Sequence, residues 1–358
     1  MIKDKLKVAQ IGVGGFGWTR RSLLRQSGLF DLAAVYDHNE ETLGRAASEE
    51  NATAAGSYEE LLAFPGIEAV VISTGAKFHA GQIIAAAERG LHVFVEKPLC
   101  STVDEVREIL RVQEISGVTI GVGHVDHATD AISRTIRAVI DSGDLGTVTA
   151  IEKTTAHSGG HQIKPGDWRG DPEKNPGGML FQCGVHALHE LMFYFGPVAE
   201  VSAMMRYDVL PTRTADAATC LLRFSSGMIG TLNAYHTTPY RHTLSIFGSQ
   251  ANLYRDDRYF DEGTRLHTQR MNLTNSKEDL VALPVSGEDD PCGNLRNFYK
   301  AVREGGPASP SLRDGAQAVL AVFAAEESAK TGRSVKIGDV LSGTVGKPVS
   351  PSNCRSPI

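Results

Sequence analysis

The stretch that most constrains this chain is KVAQIGVGGFG, residues 7–17, an apolar run that ends in glycines. Gly12, Gly14 and Gly17 keep G-x-G-x-x-G spacing and sit between a strand-like run and a helical one. Glycines are needed there when a dinucleotide pyrophosphate must approach the backbone at a helix N-terminus. Gly15 and Phe16 belong to the same loop. Asp37 ends the next apolar run, twenty residues past Gly17, where a carboxylate meets the adenosine ribose. The plain alternative is a glycine-rich turn without a ligand, but strand, helix and acid together count against it. Asp37 repels a 2′-phosphate, and His38, Asn39 and Glu40 supply no arginine to hold one, so the expected cofactor is NAD.

Short apolar runs recur at 32–37, 69–74, 92–97 and 118–123, and the segments 78–90 and 102–116 between them have helical period. Continuous apolar strands are those of a parallel sheet covered on both faces. The segment TVDE (102–105) reads as a capping box. The pattern predicts a doubly wound α/β domain. In such sheets ligands bind beyond the carboxyl ends of the strands. Ser73 and Thr74 close one strand there and Glu96, Lys97 and Pro98 close another. Lys97 is then placed to touch a substrate hydroxyl, and burial would lower its pKa. An isolated lysine at a turn is more often merely solvated; the position reverses that expectation. His79, on the helix after the fourth strand, is assigned to the cofactor side.

From about residue 145 the sequence becomes β-rich and often alternates, with Ser-Ser-Gly in LRFSSGMIG as a hairpin signal. Alternation leaves one sheet face to solvent or to another chain. Segments 294–304 and 314–331 look helical and are expected to cover that sheet. The 358 residues suit two domains: 1–124 binding the cofactor, 125–338 binding substrate, and 339–358 a flexible Pro/Ser/Gly tail. A net charge of −6 gives no reason to expect nucleic acid, and no apolar run would span a bilayer. Five scattered cysteines without a CxxC pair, and no secretory leader, point to the cytoplasm.

Residues 177–190, GGMLFQCGVHALHE, hold the remaining candidates. A helix over 179–195 would put Gln182, His186 and His189 on one face. His186 could exchange a proton with a substrate hydroxyl. The histidines of HALHE, HSGGH (157–161) and HVDH (124–127) could instead chelate a metal, but no cysteine or carboxylate completes a tetrahedral set, and none is expected. His189 could also be simple packing. His124, Asp126, His157, Trp168 and Arg169 are candidate substrate contacts by position; Trp168 could stack on a sugar ring or sit in the core.

The glycine motif, Asp37, Glu96-Lys97-Pro98 and the glycine pair followed by Gly184-Val185-His186 resemble the Gfo/Idh/MocA family of oxidoreductases. So do SGDLGTV (142–148), Trp168-Arg169 and the segment from RNFYKAVREGG to GRSVKI; the likeness covers about residues 5–338. It implies an α/β fold: an N-terminal Rossmann domain plus a C-terminal α/β domain with a large, mainly antiparallel open sheet, through which homodimers or homotetramers form. It implies oxidation or reduction of a ring hydroxyl or ketone of a sugar or cyclitol, with Lys97 and His186 as catalytic residues. The family usually has aspartates where this chain has Gln182 and His189. Gln182 is therefore expected to contact substrate, leaving Lys97 more of the proton traffic. An enzyme that keeps its NAD and oxidises a sugar transiently, to permit elimination, hydrolysis or epimerisation, stays open. So does a non-catalytic NAD-sensing regulator.

Overall fold

The computed structural model describes residues 4–257, 264–271 and 280–344. Its first unit runs β1 (Leu6–Ile11), α1 (Phe16–Ser27), β2 (Phe30–Tyr36), α2 (Glu40–Glu50), β3 (Thr53–Ala54), α3 (Tyr58–Leu62), β4 (Ala69–Ile72), α4 (Ala76–Ala87), β5 (His92–Val95), α5 (Val103–Ser116) and β6 (Ile120–Val122). The strands form one parallel sheet in the order β3-β2-β1-β4-β5-β6. Every residue of β4 is buried, as the unbroken apolar run requires. Thr102 and Glu105 form the expected capping box at α5.

The second unit opens with α6 (Ala131–Ser142) and β7 (Val148–Ala156) and continues through α7 (Val185–Phe195). Then come β8 (Val198–Arg206), β9 (Ala217–Phe224), β10 (Ile229–Tyr235), β11 (Arg241–Gly248), β12 (Ala251–Asp257), β13 (Thr264–Arg270) and β14 (Val281–Leu283). α8 (Gly293–Glu304), α9 (Leu312–Thr331), β15 (Val335–Lys336) and α10 (Ile337–Ser342) complete the described chain. The nine strands lie in the order β14-β13-β12-β11-β7-β10-β9-β8-β15. Only β7 and β10 pair in parallel among them. The Ser-Ser-Gly turn joins β9 to β10 as a hairpin, with Leu222 opposite Gly230.

Two expectations need correction. α8 does not cover the second sheet: Leu295 and Phe298 are buried with Leu6, Val8 and Phe94 of the first, and the Phe298 ring meets Phe94 edge-on at 5.5 Å. An amphipathic stripe fixes that a helix packs, not which sheet receives it. α9 does pack on the second unit, chiefly against β8 and α7. The expected tail from 339 begins within α10, whose Ile337 and Val340 are buried; residues 345–358 lie outside the described residues. The outer face of the second sheet exposes Met204 (83%), Leu221 and Ile229. Among the described residues no helix is long and apolar enough to cross a membrane.

Candidate active site

At the end of β1 the glycine loop is shaped by contacts a side chain would break. A Cβ on Gly12 would lie 2.7 Å from the Ser73 backbone, and one on Gly17 would run into the carbonyl of Gly12. Asp37, from the end of β2, accepts from the amides of Val13 (2.9 Å) and Gly14 (3.3 Å). Buried Gln10 donates its side-chain amide to the carbonyls of Gly12 (3.1 Å) and Gly17 (3.0 Å). A cavity of about 280 Å³ opens beside this loop, bounded by Gly12, Asp37, His38, Thr74, Phe78 and Gln82. Phe78 and Gln82 escaped sequence reading; the only signal was an apolar residue on the polar side of a helix just after a strand end.

A larger cavity of about 680 Å³ lies between the two sheets. From the first unit it is lined by Phe16, Ser73, Thr74, Glu96 and Lys97, and by His124 and Asp126 after β6. The second unit adds Trp168, Arg169, Gln182 and His186. Residues read from six separated stretches of sequence thus meet in one space.

The approach to α7 is not the regular helix expected over 179–195. Gly177 and Gly178 both have positive φ, and a Cβ on Gly178 would collide with the backbone of Ala215. Leu180–Gly184 then winds as a π-helix before the α-helix begins at Val185. Such widened turns concentrate at functional sites. Here one places the Gln182 carbonyl 3.1 Å from the Lys97 ammonium, which donates to it. The widened turn also breaks the expected shared face: Gln182 and His186 line the cavity, whereas His189 does not. Burial lowers the Lys97 pKa below the ordinary lysine value, partly opposed by Cys183 and Glu96. The Gln182 side-chain nitrogen and both ring nitrogens of His124 are buried without a partner. Orphaned polar groups in a cavity wall cost about 1–3 kcal/mol each unless a bound group satisfies them.

Four imidazoles cluster here, His124 and His186 in the wall itself and His127 and His189 behind it. His124 meets His186 edge-on at 5.5 Å and stacks on His189 at 4.6 Å, and His189 lies 5.1 Å from His127. Burial, with Lys97 and the neighbouring rings, holds His186 well below the usual imidazole range. Burial lowers His127 and His189 to about 4. His189 is thus a packed residue between two other rings, the plainer of its two readings.

The remaining candidates divide. Trp168 is 39% exposed at the cavity rim rather than in the core, with the Arg169 guanidinium 4.8 Å from its ring. Asp126 reaches the cavity, but its carboxylate accepts from the Ala128 amide, Asn297 and Ser309. His157 lines neither cavity described so far; its Nδ1 accepts from Gly159 and its Nε2 lies 3.5 Å from the Cys183 sulfur. His79 is buried, its ring nitrogens 2.9 Å from the Pro98 carbonyl and 3.0 Å from that of Thr74, so it ties two strand ends together from outside both cavities. Glu96 accepts from buried Arg20 at 2.6 Å, and Arg20 also stacks over Phe94. Arg20 and Cys183 line the cavity too, and neither was singled out from sequence.

The oxidoreductase family with an NAD-binding Rossmann fold matches residues 6–124, and the GFO/IDH/MocA C-terminal domain matches residues 133–254. A myo-inositol 2-dehydrogenase of Thermotoga maritima is 23% identical over 94% of this chain and all of its own length. A D-xylose 1-dehydrogenase (NADP(+)) of Haloferax volcanii is 26% identical over 91% of this chain and 98% of its own. Among solved structures, an oxidoreductase from Desulfitobacterium hafniense superposes with a TM-score of 0.88 at 26% identity, covering 94% of this chain and 99% of its own.

Proposed function

The chain belongs to the Gfo/Idh/MocA family of oxidoreductases, and from that membership and the cavity geometry we infer an NAD-dependent dehydrogenase of ring alcohols. Its substrate is a sugar, sugar derivative or cyclitol, oxidised at a ring hydroxyl or reduced at the matching ketone. NAD, when bound, supplies the hydride acceptor. The glycine loop and Asp37 suit its pyrophosphate and adenosine ribose, and Gly14, Gly15, Phe16, Ser73, Thr74 and Glu96 flank the same path.

One observation carries the reading: Lys97 and His186, from different units, line a single cavity that begins at the glycine loop. Lys97 is paired with a neutral carbonyl, so its charge is not cancelled by a carboxylate and its other N–H groups can reach a substrate oxygen. There it stabilises developing alkoxide and, with its lowered pKa, carries most of the proton exchange. His186 stays neutral and accepts a hydrogen bond from the same hydroxyl. The orphaned donors of Gln182 and His124 fix the ring in place. Trp168 and Arg169 close the rim, Asp126 shapes the adjoining wall, and His157 backs that wall through Cys183. Asp37 favours NAD over NADP, although the Haloferax relative carries NADP(+) in its name.

The exposed apolar row on the outer sheet face suits a second copy of this chain, giving a homodimer or homotetramer. Cys100, Cys183, Cys220 and Cys292 are unpaired, which suits the cytoplasm.

A screen of cyclitols, aldoses and glycosides for NADH formation at 340 nm tests the reading. Lys97→Met should lower kcat by about a hundredfold or more while leaving NADH affinity within about twofold. Calorimetry that finds no affinity for NAD or NADP would refute it. Tightly retained NAD with no net NADH would favour transient oxidation instead.

A further inference from the structure

A second cavity, of about 330 Å³, adjoins the first: Val125, Asp130, Cys183 and His186 line both. Strand register explains its walls. Thr155, His242 and Asp257 are directly opposite one another across β7, β11 and β12, and Lys153, Leu244 and Arg255 form the next row on the same face. Further along, that face carries the buried apolar residues Ile151, Ile246 and Leu253. Beside the cavity it turns polar.

The polar groups are locked together. Glu190 of α7 accepts from Lys153 and, at 2.8 Å, from Arg255. Arg255 also pairs with Asp257 at 2.7 Å, and Thr155 meets His242 at 3.1 Å. Apolar residues of similar volume would be no less stable here, because burying these ions costs desolvation energy. Lys153 and Arg255 face Glu190 and Asp257, and Asp130 adds a third carboxylate, so the chamber has no excess positive charge with which to select an anion. Its apolar wall is little more than Val125 and Ala187, which does not suit a flat aromatic or lipid group. Fixed donors and acceptors without an excess of cations suit a neutral, polyhydroxylated group. Lys153 spends only one of its three protons on Glu190. The volume falls at the lower end of ligand sites and accommodates one sugar-sized unit.

We propose that the substrate is longer than one ring: a glycoside whose reacting ring lies by Lys97 and His186 while a second hydroxylated unit occupies this chamber. The inference rests on the dehydrogenase reading above.

The test compares free rings with their two-unit counterparts: glucose with cellobiose, maltose and trehalose, galactose with lactose and melibiose, and myo-inositol with galactinol. NADH formation is one readout, and calorimetric affinity of the NADH-loaded protein for each compound is the other. At least one two-unit compound should exceed its free ring about tenfold or more in kcat/KM and in affinity. Thr155→Phe, which fills the chamber, should abolish that gain and leave free-ring kcat/KM within about twofold. His242→Phe keeps the shape, removes the polarity and should reduce the gain about three- to tenfold. Free rings that are turned over as well as every two-unit partner would overturn the inference and leave the dehydrogenase reading standing. So would a preference that survives both substitutions. Absence of NADH from every compound, together with no NADH binding, would end both.

Discussion

The buried Arg20–Glu96 pair ties α1 to the strand end that presents Lys97. The side chains are 2% and 7% exposed and 2.6 Å apart, and among the described residues Asn294 is the guanidinium's only other hydrogen-bond partner, at 3.4 Å. Glu96→Gln keeps the shape and removes the charge, leaving Arg20 buried without its counter-ion. Breaking a buried pair from one side costs about 3–5 kcal/mol, and the retained amide oxygen places this variant near the lower figure. If the first unit, matched over residues 6–124, melts independently, its unfolding entropy is about 0.25 kcal/mol per degree, so Tm should fall by about 12 °C. Arg20→Met should cost a comparable amount by stranding Glu96. The double variant should cost about 2 kcal/mol less than the sum of the singles, because no uncompensated charge remains. Scanning calorimetry of the four proteins gives the cycle, and kcat/KM reports whether Lys97 has moved. Single losses under about 1 kcal/mol, or losses that simply add, would refute the claim that the pair acts as a unit.

Acid should weaken the fold before carboxylates are reached. His127 and His189 fall to about 4 in the folded state, whereas an unfolded imidazole titrates near 6.5. Their folded values are depressed, so their contribution is complete above pH 6.5 and is lost as pH falls towards 4, at up to about 1.4 kcal/mol per unit for each ring. Urea midpoints that stay level between pH 7.5 and 5 would contradict this. Gln182→Asp puts a carboxylate beside Lys97 and His186 and should raise both pKa values, moving the rising limb of the kcat/KM profile for oxidation to higher pH; superimposable profiles would remove Gln182 from any electrostatic role. Asp37→Ser combined with His38→Arg should shift the NADP-to-NAD ratio of kcat/KM by about a hundredfold towards NADP, and an unchanged ratio would dismiss Asp37 as the discriminator.

The parts legible in the sequence are those whose chemistry is local. Gly12, Gly14 and Gly17 answer to contacts within one loop, and Asp37 closes that loop through two amides, so spacing alone betrays them. Lys97 could be placed because a strand end and a following proline fix its position. Arg20 could not: its partner is 76 residues away, and an arginine on a helix ordinarily reads as solvated. The π-helical turn at Leu180–Gly184 was equally hidden, since widening a helix by one residue changes no pattern in the composition. The polar patch of Lys153, Thr155, His242 and Arg255 exists only once three strands are in register.

The return of α8 to the first sheet means that the backbone passes between the two halves three times: after β6, ahead of α8, and again ahead of α9. A body held at one point can swivel in any direction, whereas one tied at several can only swing about an axis through its ties. Whatever motion admits and releases a substrate here is therefore confined to something like the travel of a door, and the jamb is written into the order of the elements.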